Sequence, residues 1–403
     1  MRGTRQKTRG AGQGTTDNMQ YGTAGARPAS RFAARLLPLT AIAAIVALTA
    51  IFLFAYNHEQ DDVNGAVAAK WCNGNQNNGS PCAFSVSWSL GPTPGLNVDQ
   101  TGGGYVQALQ AAFNAWQQAS LNNQPVANIL ISQGPSSPQN TPSVDCQNVI
   151  GFTDSTKSDF STGTIAFTSI ATSFGCTVAG ANCPAGSPPN TYSCPGSLNP
   201  NATYTCPLPS CIVDTDIEFN PQDNFSTASP TPAKDFDLQA IATHEIGHML
   251  GMDHSGLGNA IMFAFGDTGG VPNRNLSTDD ILGIGSLYPS ASFASNTGSL
   301  AGTVTQGASG IFASHVLVID TTSGNAVADG LTDTNGNYSI DVPPGQYNVV
   351  ALPLAGIYDI TNYGGWACGY GENSPPCCDP TQDPTLCNGT QLSPPTNYTG
   401  KFK

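Results

Sequence analysis

His244-Glu245-Ile246-Gly247-His248-Met249-Leu250-Gly251-Met252-Asp253-His254 is the stretch that decides how this chain is read. His244 and His248 are four apart, so on a helix both imidazoles leave one face and can grip one ion. Glu245 sits beside the first, within reach of a water on that ion. Around the pair, Leu238, Ile241, Ala242, Ile246 and Met249 recur at three- and four-residue steps, which predicts a helix over 237–250 with Asp235 or Asp237 as N-cap. Gly251 fits the stop, because glycine accepts the left-handed backbone that brings His254 back toward the pair. Three neutral imidazoles suit Zn²⁺ and leave a fourth position open, the arrangement of a catalytic rather than a structural site. The chain has five histidines, and three of them stand in this spacing with a Glu and a Gly, which sets coincidence aside. The other two, His58 and His315, are read as stalk and strand surface.

Further signals lie on either side. Residues 276–288 (LSTDDILGIGSLY) predict a second amphipathic helix starting at Ser277 or Thr278, with Asp279 and Asp280 in the first turn where the helix dipole favours acids. Residues 105–120 predict a helix burying Val106, Leu109, Phe113 and Trp116. Strands are expected at 85–90, 129–132, 148–152, 164–172 and 213–220. Residues 173–211, with five cysteines and many Pro, Gly, Ser and Asn, suggest a stapled insertion without its own apolar core.

HEIGHMLGMDHS at 244–255 resembles the zinc-binding helix and turn of the metzincin zinc proteases, most closely the matrixin (peptidase M10) branch. Ala260-Ile261-Met262 falls where that family has its Met-turn, and LSTDDILGIGSLYP resembles its C-terminal helix. Residues 213–220 (VDTDIEFN) resemble the strand before the active-site helix, and 164–168 (TIAFT) the edge strand along which such enzymes lay a peptide. The resemblance implies an α+β catalytic domain over 72–290, a twisted mixed sheet plus an active-site helix. It implies metal ligands His244, His248 and His254, Glu245 as general base, Met262 as the packed floor, and substrate contacts at Ala166 and Phe167. Matrix metalloproteinases hold a second, structural zinc through extra histidines and carry a cysteine-switch prosegment. This chain has no histidine between 59 and 243 and no such cysteine motif, so one catalytic Zn²⁺ is expected, with the Cys-rich insertion in the structural zinc's place. Phe263 stands where astacin-like relatives have a metal-reaching tyrosine.

The chain has 403 residues, room for about two domains outside a membrane. Gly 45 and Pro 30 favour loops and short strands. Seven of the 13 basic residues lie in the first 35 positions with only Asp17 opposing them, so the rest carries 6 bases against 26 acids. A body that acidic repels phosphate backbones, which excludes nucleic acid as a partner. Residues 36–56 (LLPLTAIAAIVALTAIFLFAY) lack a charge and are long enough to span the roughly 30 Å hydrocarbon layer. With bases before and acids after, a transmembrane signal-anchor is expected: 1–35 cytoplasmic, 57–71 a stalk, the bulk extracellular or periplasmic, and secretion if the segment is cleaved. Cys 12, split eight and four between the two halves, is the even usage of a disulfide-bonded exported protein.

After a linker at 291–297 the pattern changes to period two, and 298–356 resemble the carboxypeptidase regulatory-like, transthyretin-type β-sandwich, usually an accessory or adhesive unit. Asp333 to Asn337 (DTNGN) invites a Ca²⁺ reading, but an EF-hand loop needs a Gly at its sixth position and a later Glu, so a hairpin turn is the better assignment. A Cys-rich tail occupies 357–403. Together these observations predict a surface-anchored zinc endopeptidase acting on protein or peptide substrates. The competing prediction is an adhesion or carbohydrate-binding surface protein with a vestigial zinc site.

Overall fold

The computed structural model describes residues 68–71, 84–101, 104–139, 147–152, 160, 163–173, 190–193, 203–206, 211–333, 335–354 and 401–402. All belong to one compact unit, Ile51–Lys403. The apolar run 36–56, residues 57–67 of the expected stalk, most of the tail and the side chains of all twelve cysteines lie outside the described residues. Residues 68–71 are not stalk as the sequence suggested: Ala69 and Trp71 are buried and Lys70–Trp71 joins the sheet, because a short apolar segment gains more from covering the core than from water. Among the described residues no helix is long and apolar enough to cross a membrane.

The first layer is a sheet built from β1 (Lys70–Trp71), β2 (Phe84–Leu90), β3 (Ile129–Gln133), β4 (Asn148–Gly151), β5 (Ala166–Ser173) and β6 (Cys211–Phe219). The order runs β5-β6-β4-β2-β3, with β1 beside the start of β6. Every pairing is parallel except β5 against β6, so the sheet is mixed and β5 forms its antiparallel edge. Alternation works as the sequence requires: Val86 and Trp88 of β2 are buried while Ser87 between them is exposed.

Against this sheet lie α1 (Gly104–Gln117) and α2 (Leu238–Met249). Leu109, Phe113 and Trp116 are buried as their helical spacing predicts, whereas Val106, at the open end of the stripe, is half-buried. Phe113 stacks on Trp88 of β2 with ring centroids 4.5 Å apart, and Trp116 Nε1 donates to the Thr243 carbonyl at 2.7 Å. The second contact ties α1 directly to the helix that carries the histidines. α3 (Thr278–Leu287) begins at Ser277 in a reciprocal capping box with Asp280.

Besides a short ladder between Thr305–Gln306 and Ser309–Gly310, the described C-terminal strands form two antiparallel sheets. β7 (Gly298–Thr303) pairs with β10 (Asn337–Val342), while β8 (His315–Asp320) lies between β9 (Ala326–Leu331) and β11 (Tyr347–Leu352), followed by β12 (Lys401–Phe402). Gly336, at φ 80, makes the left-handed step before β10, and Asp333 Oδ1 accepts the amides of Asn335 and Asn337, both at 2.8 Å. This is a turn held by its own aspartate.

The two parts share one apolar core. α3 packs on β9 and β10, and Gly285 leaves the room that the Phe293 ring fills. Polar groups are also sealed into this junction. Asp279 Oδ1 accepts the backbone amide of Asp329 at 2.9 Å, and His315 Nε2 lies 2.6 Å from Asp329 Oδ2. His315 is therefore not on a strand surface as the sequence suggested; it is 7% exposed, because the first part of the chain covers that face of β8.

Burial, then the charges of Asp329 and Asp280, push the Asp279 carboxyl well above the usual carboxylate range, against the hydrogen bonds from Ser255 and the Asp329 amide. Above pH ~4 the unfolded chain has released this proton while the folded chain retains it, so folding stability falls as pH rises from there. Asp279→Asn stays neutral and keeps an acceptor for the Asp329 amide. Its urea midpoint is expected to fall less than that of the unaltered protein between about pH 5 and about pH 8; equal pH dependence of the two proteins refutes this.

Candidate active site

Helix α2 is positioned at both ends by specific contacts. Asp237 is its N-cap and accepts the Ala240 amide at 2.8 Å; Arg274 closes on the same carboxylate through Nε at 2.9 Å and a terminal nitrogen at 2.5 Å. At the other end the Gly251 amide bonds to the His248 carbonyl at 2.8 Å and the Met252 amide to the Gly247 carbonyl at 2.9 Å, the paired bonds of a Schellman motif. Gly251 has φ 90, and a Cβ there runs into the Ala69 carbonyl. The chain then doubles back, and Ser255 pairs with Phe263 through a parallel bridge, its amide bonding to the Met262 carbonyl at 2.8 Å.

As a result three imidazoles converge. Ring centroids of His244, His248 and His254 lie 4.8 to 5.2 Å apart, and their nitrogens lie within 4.8 Å of one another. Among the described residues this is the only group of metal-ligating side chains so arranged. His244 Nδ1 sits 2.7 Å from the Ile261 carbonyl and His248 Nδ1 2.8 Å from the Met252 carbonyl. A carbonyl only accepts, so each Nδ1 carries the proton and each Nε2 presents a lone pair. The two Nε2 atoms nevertheless stand 3.1 Å apart. Two lone pairs at that distance repel unless they share a cation, and the donor set of three imidazoles fits Zn²⁺. Burial, then the neighbouring His248, lower the His244 pKa to about 3, against the pull of the Ile261 carbonyl, so its ring is neutral and able to ligate at physiological pH.

Glu245 is buried beside this cluster, and Thr168 of β5 donates to its Oε2 at 2.7 Å, fixing the carboxylate against the edge strand. Burial raises its pKa, while the His248 charge and the Thr168 hydroxyl lower it. A cleft of about 600 Å³ opens in front of these groups, and Ala166 and Phe167 are among the residues that line it. Its far wall includes Ala264, Gly266 and the exposed Phe265 and Val271.

Met262 is 1% exposed and packs beneath the helix. Its sulfur and the Trp116 ring occupy the space where a Cβ on Gly247 belongs, which explains a glycine inside a helix. The turn carrying Met262 is anchored from α3: Asp280 accepts the Ile261 amide at 2.8 Å and the Met262 amide at 3.1 Å. Thr168, Asp280 and the role of Gly247 were not readable from the sequence, because each depends on a partner far along the chain.

Comparison with known proteins agrees with this geometry. The matrixin family model matches residues 196–289. This segment is matrixin-like. Metalloendoproteinase 5-MMP of Arabidopsis thaliana is 50% identical over 52 residues, covering 13% of this chain and 14% of that protein. Human matrilysin is 53% identical over 47 residues, 12% of this chain and 18% of matrilysin. Metalloendoproteinase 1 of Glycine max is 46% identical over 66 residues, 15% and 20% of the two chains. The chain thus spans at most a fifth of the length of these three relatives. The matrixin segment is of the metalloendopeptidase kind, and it holds α2, the turn and α3, the elements that build the histidine cluster.

Gly247→Ala is expected to lower the melting temperature, although alanine favours helix by about 1 kcal/mol over glycine, because the new methyl collides with Met262 and Trp116. Adding Met262→Ala is expected to recover part of that loss. Strict additivity of the two substitutions in thermal unfolding refutes the packing argument.

Proposed function

We propose that the chain is a zinc-dependent endopeptidase of matrixin type acting on proteins or peptides outside the cytoplasm. The observation that carries this reading is the convergence of three imidazoles with a buried carboxylate beside them. His244, His248 and His254 hold the ion, which supplies Lewis acidity toward water and toward a peptide carbonyl. Glu245 takes the proton of the attacking water and passes it to the leaving amine nitrogen. Thr168 keeps that carboxylate in place, since its hydroxyl donates to Oε2. The edge strand β5 offers its open side to an extended peptide, main chain to main chain, beside Ala166 and Phe167. Met262 supports the histidine-bearing helix by packing rather than chemistry.

Residues 36–56 anchor the protein, with 1–35 inside and the acidic body outside; the charge asymmetry and the twelve cysteines support this. The β-strands of 298–356 form an accessory sandwich, a reading supported by the two antiparallel sheets that bury Val316, Val318, Ile340 and Val350.

The purified protein is expected to cleave casein or gelatin, to lose that activity in a chelator and to regain it with Zn²⁺. Glu245→Ala is expected to reduce cleavage by about 10² to 10⁴-fold while the protein still binds Zn²⁺. Cleavage that survives either the chelator or the substitution overturns the proposal.

A further inference from the structure

The residue after the third imidazole is tied to the C-terminal sheets. Ser255 Oγ donates to Asp329 Oδ1 at 3.1 Å and the Gly256 amide donates to Asp329 Oδ2 at 2.8 Å. Asp329 lies on β9, more than seventy residues along the chain and outside the matrixin segment. Its carboxylate is fully engaged, because His315 of β8 approaches the same Oδ2 at 2.6 Å. The whole group is sealed: Ser255 is 5% exposed, Asp329 3% and His315 7%. The fit requires a glycine at 256, where an added Cβ meets Asp329 Oδ2 at 2.5 Å and the His315 ring as closely.

Ser255 is a junction of three supports. Its amide bonds to the Met262 carbonyl, its hydroxyl accepts the Leu257 amide at 3.1 Å, and the same hydroxyl, which also faces the Asp279 carboxyl, donates to Asp329. His244 and His248 stand on a helix whose own hydrogen bonds hold them. His254 lies off that helix, in the irregular segment after Gly251, where its amide bonds to Asp253 Oδ1 at 2.6 Å. What holds this segment on its C-terminal side is a carboxylate from the second part of the chain.

We propose that Asp329, oriented by His315, is a positioning residue for His254, so that the C-terminal sheets form part of the frame of the metal site instead of a separable appendage. The inference rests on the zinc reading above. It differs from a purely stabilising contact in one consequence: loosening the Asp329 clamp alters the third ligand's geometry even while both parts of the chain remain folded. Loss of one outer partner of a metal ligand ordinarily weakens metal affinity about 10 to 100-fold.

The full-length chain is compared with Asp329→Asn, Ser255→Ala, His315→Leu and His315→Gln, with Val350→Ala as control. Val350 is buried in β11 opposite Leu317, one strand removed from Asp329, so its truncation weakens the same sheets without removing a hydrogen-bonding group of the clamp. Three quantities are read: Zn²⁺ affinity by chelator competition, the visible spectrum of the Co²⁺-loaded protein, and amide hydrogen exchange over 253–257. Asp329→Asn is expected to weaken Zn²⁺ binding at least about 10-fold, shift the Co²⁺ bands and accelerate exchange over 253–257. Ser255→Ala and His315→Leu follow in the same direction, and His315→Gln, which retains a donor, recovers part of the loss. Val350→Ala lowers the melting temperature and leaves all three readouts unchanged. Clamp variants that keep parental affinity and spectrum, or that change them only as Val350→Ala does, overturn the inference. If Asp329→Asn does not fold, Ser255→Ala and His315→Leu decide by the same criteria. A parental chain that takes up no Zn²⁺ overturns the metal reading itself, which separates the two failures.

Discussion

Everything at the centre of this protein depends on where helix α2 stops. A helix that continued one more turn would carry His254 away along the helix axis, about 1.5 Å per residue, and leave two imidazoles with no third. The stop is enforced by backbone chemistry. Gly251 takes a positive φ that nearly every other residue resists, and the paired amide bonds of Gly251 and Met252 close the last carbonyls. The Ala69 carbonyl packed against Gly251 adds a steric reason for the missing side chain. Tyr288 reinforces the same corner, with its hydroxyl donating to the Leu250 carbonyl at 2.7 Å.

Around that corner the structure spends buried carboxylates as fixtures. Asp237 caps the start of α2, Asp280 holds the turn under the histidines, and Asp329 clamps the segment after His254. Each is more than nine-tenths buried, which is costly for a charge unless backbone amides and side-chain donors satisfy it, and here they do. Apolar packing supplies the floor through Met262 and Trp116, but packing alone is not directional. The hydrogen-bonded acids set the angles at which the imidazoles meet, and they come from three different elements.

The site was legible in the sequence to an uneven degree. The helix boundaries, the spacing of His244 and His248 and the need for Gly251 are local properties, and the structure places α2 within a residue or two of where periodicity put it. The five longer strands of the sheet were equally readable, and the edge position of β5 followed from its resemblance, whereas β1, two residues long, was taken for the end of a stalk. His315 was misread for a physical reason. Alternation along His315-Val316-Leu317-Val318 places the histidine opposite the two valines, and a period-two pattern assigns that opposite face to water. It cannot register that another part of the same chain, with Gly256 at its tip, covers the face. Thr168 and Asp280 escaped for a similar reason: their partners lie 77 and 18 to 19 residues away, and a single threonine or aspartate in a strand or first helical turn has several ordinary explanations.

By itself the sequence determined the donor set of the site, because three imidazoles, a carboxylate and a helix-stopping glycine within eleven residues are governed by the short-range geometry of one helix and its exit. It also determined that the mass of the chain is acidic and follows an uncharged apolar run. Only the tertiary structure decided which side chains hold that site in shape: Thr168 against Glu245, Asp280 under the turn, Met262 against Gly247, and Asp329 with His315 behind Ser255. Such contacts join segments far apart in the chain, and their energies arise from excluding water between surfaces that meet only once the chain has folded.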